Sequence, residues 1–175
     1  CVFVEYLQAT ASDRGFPGYL RLSRNGRYAL NYGATVPLNS PSLVDLQSDA
    51  KYTLPRDIVV APKGRVVSST GAAVVTDTAG RVWLYTLEGS REIATRLRGR
   101  NAVLDESAST VVYEAFPTAD ASWRLHLVDL ISGTERELIA CAAGCNNPIL
   151  TNDGQRVLFL AAFLLFCLTS WLFLG

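Results

Sequence analysis

One short pattern recurs four times along this 175-residue chain. An apolar residue leads into a small polar turn ending at Gly, and an apolar, strand-forming run follows. The clearest copies are residues 22–30 (LSRNGRYAL) and 150–159 (LTNDGQRVLF). Looser copies begin at Val67 (VSSTGAAVV) and Leu104 (LDESASTVV), and the third has Ala108 where the others have Gly. The starts at Leu22, Val67, Leu104 and Leu150 lie 45, 37 and 46 residues apart. Short strands repeating roughly every 40–45 residues have the spacing of propeller blades.

A second register runs independently of the first. Val44-Asp45-Leu46, Tyr85-Thr86-Leu87 and Val128-Asp129-Leu130 each precede a polar turn, and their last Leu residues are 41 and 43 apart. Together the registers predict an all-β chain: a partial β-propeller of about three four-stranded antiparallel blades, an incomplete fourth, and an apolar C-terminal tail for which a helix stays open. The blades are expected near 18–56, 57–99, 100–144 and 145–161, with the tail at 162–175. In blade one the strands fall at 18–23, 27–32, 42–46 and 51–54, and in blade two at 65–69, 72–76, 81–87 and 92–97. Blade three has 102–105, 110–116, 123–130 and 136–140, and blade four has 148–150 and a strand from Val157.

Burial explains the composition of these strands. Both faces of a blade pack on neighbouring blades, so strands such as 82–87 (VWLYTL) are apolar throughout and do not alternate. A lone blade would leave both faces wet. Closed propellers have four to eight blades, so the chain is expected to be part of a larger ring. The strand-like opening run at 2–7 and the absence of Met fit an excerpt.

The turns carry recognisable chemistry. Asn25-Gly26, Gly71 and Asp153-Gly154 supply residues that tolerate positive φ. Asp45, Asp129 and Asp153, with Asp105, recur at strand ends or turns, where a carboxylate caps backbone N–H groups. Their recurrence argues for a structural role. A calcium site at the Asp153 turn is disfavoured because too few oxygen ligands cluster there.

Charge excludes some functions. The 16 basic and 16 acidic residues balance, no basic stripe stands out, and no nucleic-acid partner is expected. The run Arg91, Arg96, Arg98 and Arg100 reads as a solvated edge, with a phosphate or acidic-partner patch as the competing reading. No nucleophile elbow, phosphate loop or metalloprotease motif is present. His126, the single His, lies in a strand whose period-two geometry points Asp129 to the other face. No catalytic, cofactor-binding or metal-ligating set is expected, and no cofactor.

Two features bear on localisation. Cys141 and Cys145 flank a loop of small residues and are candidates for a local disulfide, which would imply an oxidising compartment. Two free thiols are the alternative, and a metal site would need two more ligands. Residues 157–175 carry no charge, which on length alone suits a membrane span. Blade four needs residues 157–161 for a strand, and the polar turn and third strand expected next are missing. A membrane anchor, a non-native terminus, and a buried helix or strand therefore compete. Cys1 raises a lipid anchor, against which Val2-Phe3-Val4 is already strand-like.

Ser23-Arg24-Asn25-Gly26, Thr151-Asn152-Asp153-Gly154 and Val128-Asp129-Leu130-Ile131-Ser132-Gly133 together resemble the blade motifs of TolB-like, WD-repeat-like bacterial β-propellers over residues 18–160. In that family the usual turn is Ser-Pro-Asp-Gly. No copy here has it complete, so a divergent member is implied. The resemblance implies a recognition or scaffolding module. The expected function is non-enzymatic binding of a protein or peptide through variable loops at 33–41 and 117–122. The alternatives are the non-catalytic propeller of a larger enzyme, such as a serine peptidase, and a membrane-anchored periplasmic or surface protein.

Overall fold

The computed structural model describes residues 19–32, 40–94, 97–115, 123–141, 144–163 and 166–173. The described residues form four antiparallel sheets, each built from strands consecutive in sequence. Blade one holds β1 (Tyr19–Leu22), β2 (Tyr28–Tyr32), β3 (Ser42–Asp45) and β4 (Lys51–Thr53). Blade two holds β5 (Ile58–Val59), β6 (Ala73–Asp77), β7 (Val82–Thr86) and β8 (Gly89–Ala94). Blade three holds β9 (Gly99–Leu104), β10 (Thr110–Ala115), β11 (Trp123–Asp129) and β12 (Glu135–Cys141). Blade four holds β13 (Cys145–Leu150), β14 (Arg156–Phe163) and β15 (Phe166–Phe173). Among the described residues there is no helix.

The sheets stack face to face. Blade three packs on blade two through β9 against β6, and blade four on blade three through β13 against β9 and β10. Blade one meets blade two through Tyr28, whose ring lies over Gly71, and through Tyr52, 5.9 Å from Tyr85 between ring centroids. One buried apolar cluster runs through all four blades and includes Leu30, Leu43, Val75, Val103, Leu125 and Phe159. A second, centred on Val74, Val82, Leu104, Val111 and Tyr113, fills the seam between blades two and three. All five residues of β6 are buried, as a strand covered on both sides requires. Each fully buried Val or Leu contributes about 1.5–3 kcal/mol, so stacking supplies the main driving force.

Two sequence expectations need correction. The sequence pattern places the first strand of blade two at 65–69. The structure splits that position: β5 pairs Ile58 with Asp77 and Val59 with Thr76, while Val67 makes only an isolated bridge to Ala73. The intervening residues bulge out of the ladder, with Gly64 at φ +80°. Pro62-Lys63-Gly64 interrupts the run, and Pro cannot donate to a ladder. The second correction concerns the tail. The third strand of blade four is not missing, since β15 pairs with β14 from Arg156↔Phe173 to Phe163↔Phe166. The backbone is extended over β14 and β15, in the tail where the sequence leaves a helix open. An uncharged run has no period-two signature, so pattern alone cannot separate a buried strand from a helix. Among the described residues no helix is long and apolar enough to cross a membrane.

Candidate functional site: the ring of Gly turns

The four repeat copies become the turns between the first and second strands of their blades, and each is locked identically. In every turn the backbone N–H four places after the start donates to the carbonyl one place after it. These bonds are Gly26 to Ser23 (3.0 Å), Gly71 to Ser68 (3.3 Å), Ala108 to Asp105 (3.3 Å) and Gly154 to Thr151 (3.1 Å). The donor residue is left-handed each time, with φ +71°, +84°, +56° and +70°. That is why Gly recurs there, and Ala108 adopts the same geometry against its preference.

Ser23, Ser68, Asp105 and Thr151 use a side-chain oxygen to accept from the far strand. Tyr28 N donates to Ser23 Oγ (2.9 Å), Ala72 N to Ser68 Oγ (3.0 Å), Ser109 N to Asp105 Oδ1 (2.7 Å) and Arg156 N to Thr151 Oγ1 (3.0 Å). Each of these side chains also bonds the one two places on: Asn25, Thr70, Ser107 and Asp153. Three turn positions are thus committed to structure.

The position between them is not committed in this way. It holds Arg24, Ser69, Glu106 and Asn152, four different side chains at equivalent places. Their turns are chained together. Asn25 Nδ2 donates to Ser69 O (3.1 Å), Ser69 N to Glu106 O (3.3 Å), and Glu106 N to Asn152 O (3.1 Å). Ser69 Oγ also bonds Glu106 Oε1, and Arg65 Nη2 bonds Asn152 Oδ1. Arg65 Nη2 lies 3.0 Å from Glu106 Oε2 as an ion pair. An Arg of blade two thus reaches an Asn of blade four, 87 residues on, which places these turns around the propeller axis. A cavity of about 520 Å³ opens there, between Leu20 and Arg24 of blade one, Arg65 of blade two, and Ile149 and Asn152 of blade four.

The strand-end register has its own caps. Asp45 Oδ1 accepts from Gln47 N (2.9 Å), Thr86 Oγ1 from Glu88 N (3.3 Å) and Asp129 Oδ1 from Ile131 N (2.8 Å). The Arg27 guanidinium, bidentate on Asp45, holds that carboxyl well below the usual range, with help from the Gln47 N–H. The Ser132 and Ile131 N–H groups lower Asp129. The Thr151 hydroxyl and the Gln155 N–H lower Asp153. Burial pushes Asp77 up, but the Arg81 N–H, the Trp83 indole and the Arg81 guanidinium overcome it, and the net shift is downward.

Other anticipated residues lie elsewhere. Cys141 and Cys145 are joined in a disulfide across the link from β12 to β13, with a Cα–Cα distance of 5.6 Å. His126 packs 5.6 Å from the Tyr113 ring and places Nδ1 3.1 Å from Glu135 Oε1. Tyr113 donates to the same oxygen (2.6 Å), and burial followed by this bond raises its phenol far above the ordinary value. Glu135 lines a cleft of about 450 Å³ between blades two and three, beside Arg91 and Leu130. Among the described residues no cluster of three His, Cys, Asp or Glu side chains could hold a metal. The loops at 33–39 and 117–122 lie outside the described residues.

Sequence reasoning missed one recurring feature. Gly64, Asn101 and Asn147 stand three residues before their repeat starts, and all are left-handed, with φ +80°, +52° and +53°. The signal was present as Gly or Asn at a fixed offset. Asn101 and Asn147 converge on Glu114, a fully buried carboxylate of β10. Glu114 Oε1 accepts from Asn101 Nδ2 (2.9 Å) and Asn147 N (2.5 Å), and Oε2 accepts from Arg100 Nε (2.7 Å).

Among solved structures, TolB from Acinetobacter baumannii superposes with a TM-score of 0.67 at 15% identity, covering 90% of this chain and 40% of that one. The fold is that of a TolB-like β-propeller. A propeller in a nidogen/laminin complex matches with a TM-score of 0.57 at 15% identity, over 82% of this chain and 56% of that one. An oligogalacturonate lyase in complex with manganese matches with a TM-score of 0.58 at 17% identity, over 81% and 44%. The chain therefore spans less than half of that TolB chain and of that lyase chain. No protein-family model and no curated protein sequence matches it.

Proposed function

We propose that this propeller segment is a non-enzymatic module that binds a protein or peptide at the axial mouth ringed by its Gly turns. The observation carrying this reading is the contrast within each turn. Three positions repeat the same bonding chemistry in four blades, while the one between them changes from Arg24 to Ser69, Glu106 and Asn152. A rigid repeated frame that carries one varied side chain per blade, with Arg24 and Asn152 exposed, suits recognition. The cavity at its centre is the size of a small-ligand or side-chain pocket. A matched chain of this fold comes from a nidogen/laminin complex, which supports the reading. The Cys141–Cys145 disulfide favours an oxidising compartment, periplasmic or extracellular.

The test is site-specific photo-crosslinking in cells from Ile149 at the mouth and from Lys51 on the outer strand β4. A protein adduct from Ile149 and none from Lys51 supports the reading. Adducts from Lys51 alone, or from neither position, refute it. The lyase match keeps a second reading in view: the propeller of an enzyme whose catalytic groups lie outside this chain. A catalytic domain in the same reading frame would favour it.

A further inference from the structure

The axial mouth is lopsided in charge. Three arginines, Arg21, Arg24 and Arg65, line the cavity with Asn152, and among the described residues no carboxylate lines it. The nearest acid of the ring, Glu106, is already engaged by Arg65 and Ser69. Among the described residues Arg21 is held by neutral partners: its Nη2 donates to Pro62 O (2.6 Å) and Ala61 O (3.3 Å), and its Nε to Tyr32 Oη (3.2 Å). Arg24 is exposed and, among the described residues, makes no hydrogen bond or ion pair. Arg65 Nη1 is buried and has no hydrogen-bond partner among the described residues. A buried guanidinium N–H without an acceptor is costly, and an acceptor arriving in the cavity would remove that cost.

The rest of the lining is apolar. Leu20, Leu22, Val66 and Leu150 wall the cavity, and Ile149 stands 37% exposed in it, one of three large hydrophobics so exposed among the described residues. Guanidinium groups bind carboxylates with paired, charge-assisted hydrogen bonds, and apolar walls strengthen such bonds by excluding water. We propose that the axial mouth selects an acidic peptide segment, placing a carboxylate against Arg24 and Arg65 and an adjacent apolar side chain against Ile149. This specificity rests on the reading of the mouth as a peptide-binding site and goes beyond it. The carboxylate could be an Asp or Glu side chain or a free chain end, and the two sources are separable by experiment.

Isothermal titration of the intact chain with three defined peptides makes the test. The first is acetyl-Leu-Asp-Leu-Glu-Leu-amide. The second replaces its acids by Asn and Gln. The third is that neutral peptide with a free C-terminal carboxylate. The first is expected to bind at least about tenfold more tightly than the second. Its affinity should fall as salt rises, and Arg24→Glu should abolish the preference while leaving the circular dichroism spectrum unchanged. Ile149→Ser, which removes no charge, should weaken the first and second peptides alike. A preference for the third peptide over the first would assign the site to chain ends. Equal binding of all three overturns the carboxylate inference and leaves peptide binding standing. Binding of none overturns both.

Discussion

Replacing Glu114 offers the sharpest test of how blades three and four are joined. Its side chain is fully buried, and its two oxygens accept three hydrogen bonds from two blades. Glu114→Gln keeps an acceptor for Asn101 and Asn147 but sets an amide N–H₂ against Arg100 Nε. The charge-assisted bond to Arg100 is lost, at about 1.5–3 kcal/mol. Arg100 is 39% exposed and can turn to water, which keeps this loss near the low end. The two surviving bonds weaken because their acceptor is neutral, adding about 1 kcal/mol. The expected destabilisation is about 3 kcal/mol. Glu114→Leu removes every acceptor. The Asn147 N–H belongs to a left-handed backbone held between blades and has no rotamer by which to seek another partner. Its orphaning brings the total to about 4–5 kcal/mol. Urea unfolding measures both, read by circular dichroism and by the fluorescence of Trp123, over whose ring Arg100 lies at 3.9 Å. The midpoint should fall with an unchanged slope. Apolar replacement of whole buried ion networks is often neutral or stabilising. A Glu114→Leu variant as stable as the parent would show that the blades do not depend on this carboxylate and would refute the reasoning.

Three further outcomes follow from the same geometry. Gly26→Ala and Gly71→Ala both impose a left-handed Ala, but a Cβ at Gly26 meets nothing within 4 Å while one at Gly71 lies 2.8 Å from the Tyr28 ring. The first should cost about 1 kcal/mol and the second about 2–3 kcal/mol, so equal midpoints in thermal melts would contradict the packing of blade one on blade two. Asp45, Asp77, Asp129 and Asp153 all bind protons more weakly folded than unfolded. Their contribution is therefore complete above the ordinary Asp value near about 4 and is lost as pH falls through that value and below; acid titration of the melting temperature should show a plateau above pH ~5, and a protein more stable at pH 3 than at pH 6 would overturn this. Reducing the Cys141–Cys145 bond opens a very short loop, so chain entropy predicts a loss of about 2 kcal/mol, measured as the difference in urea midpoint with and without dithiothreitol.

Blade architecture was legible because each repeat records a local bonding scheme. Ser or Thr after an apolar residue, then Gly three places on, encodes a hydroxyl that accepts from the far strand and a left-handed donor. The same chemistry with Asp105 and Ala108 kept the third turn readable although both signature residues had changed. Bulges were harder to read. Asn147 does its work by backbone conformation and Asn101 by backbone conformation and its side-chain amide, and their partner Glu114 lies on a strand rich in buried apolar side chains, so nothing local announces it. The axial mouth is least legible of all. Leu20, Arg65 and Ile149 belong to three blades, and only the stacking of the blades brings them together.

That separation of roles within a turn has a consequence for where this chain can vary. Substitution at Ser23, Ser68, Asp105 or Thr151 removes an acceptor from a strand N–H, and substitution of the left-handed residue adds strain; both act on stability. At Arg24, by contrast, the side chain is exposed and turn geometry depends on its backbone alone. Arg24 can therefore change charge without disturbing the fold, whereas Glu106 cannot, because it also pairs with Arg65 and Ser69. Exchanging the two residues as Arg24→Glu and Glu106→Arg would preserve net charge while leaving Arg65 facing a like charge. If the ring acts as one electrostatic unit, the exchange should destabilise the chain less than the sum of the single changes, because each single change sets like charges together and the exchange restores one of each sign. Simple additivity would instead mean that each turn stands alone, and the axial mouth would then be a gap between blades with no field of its own.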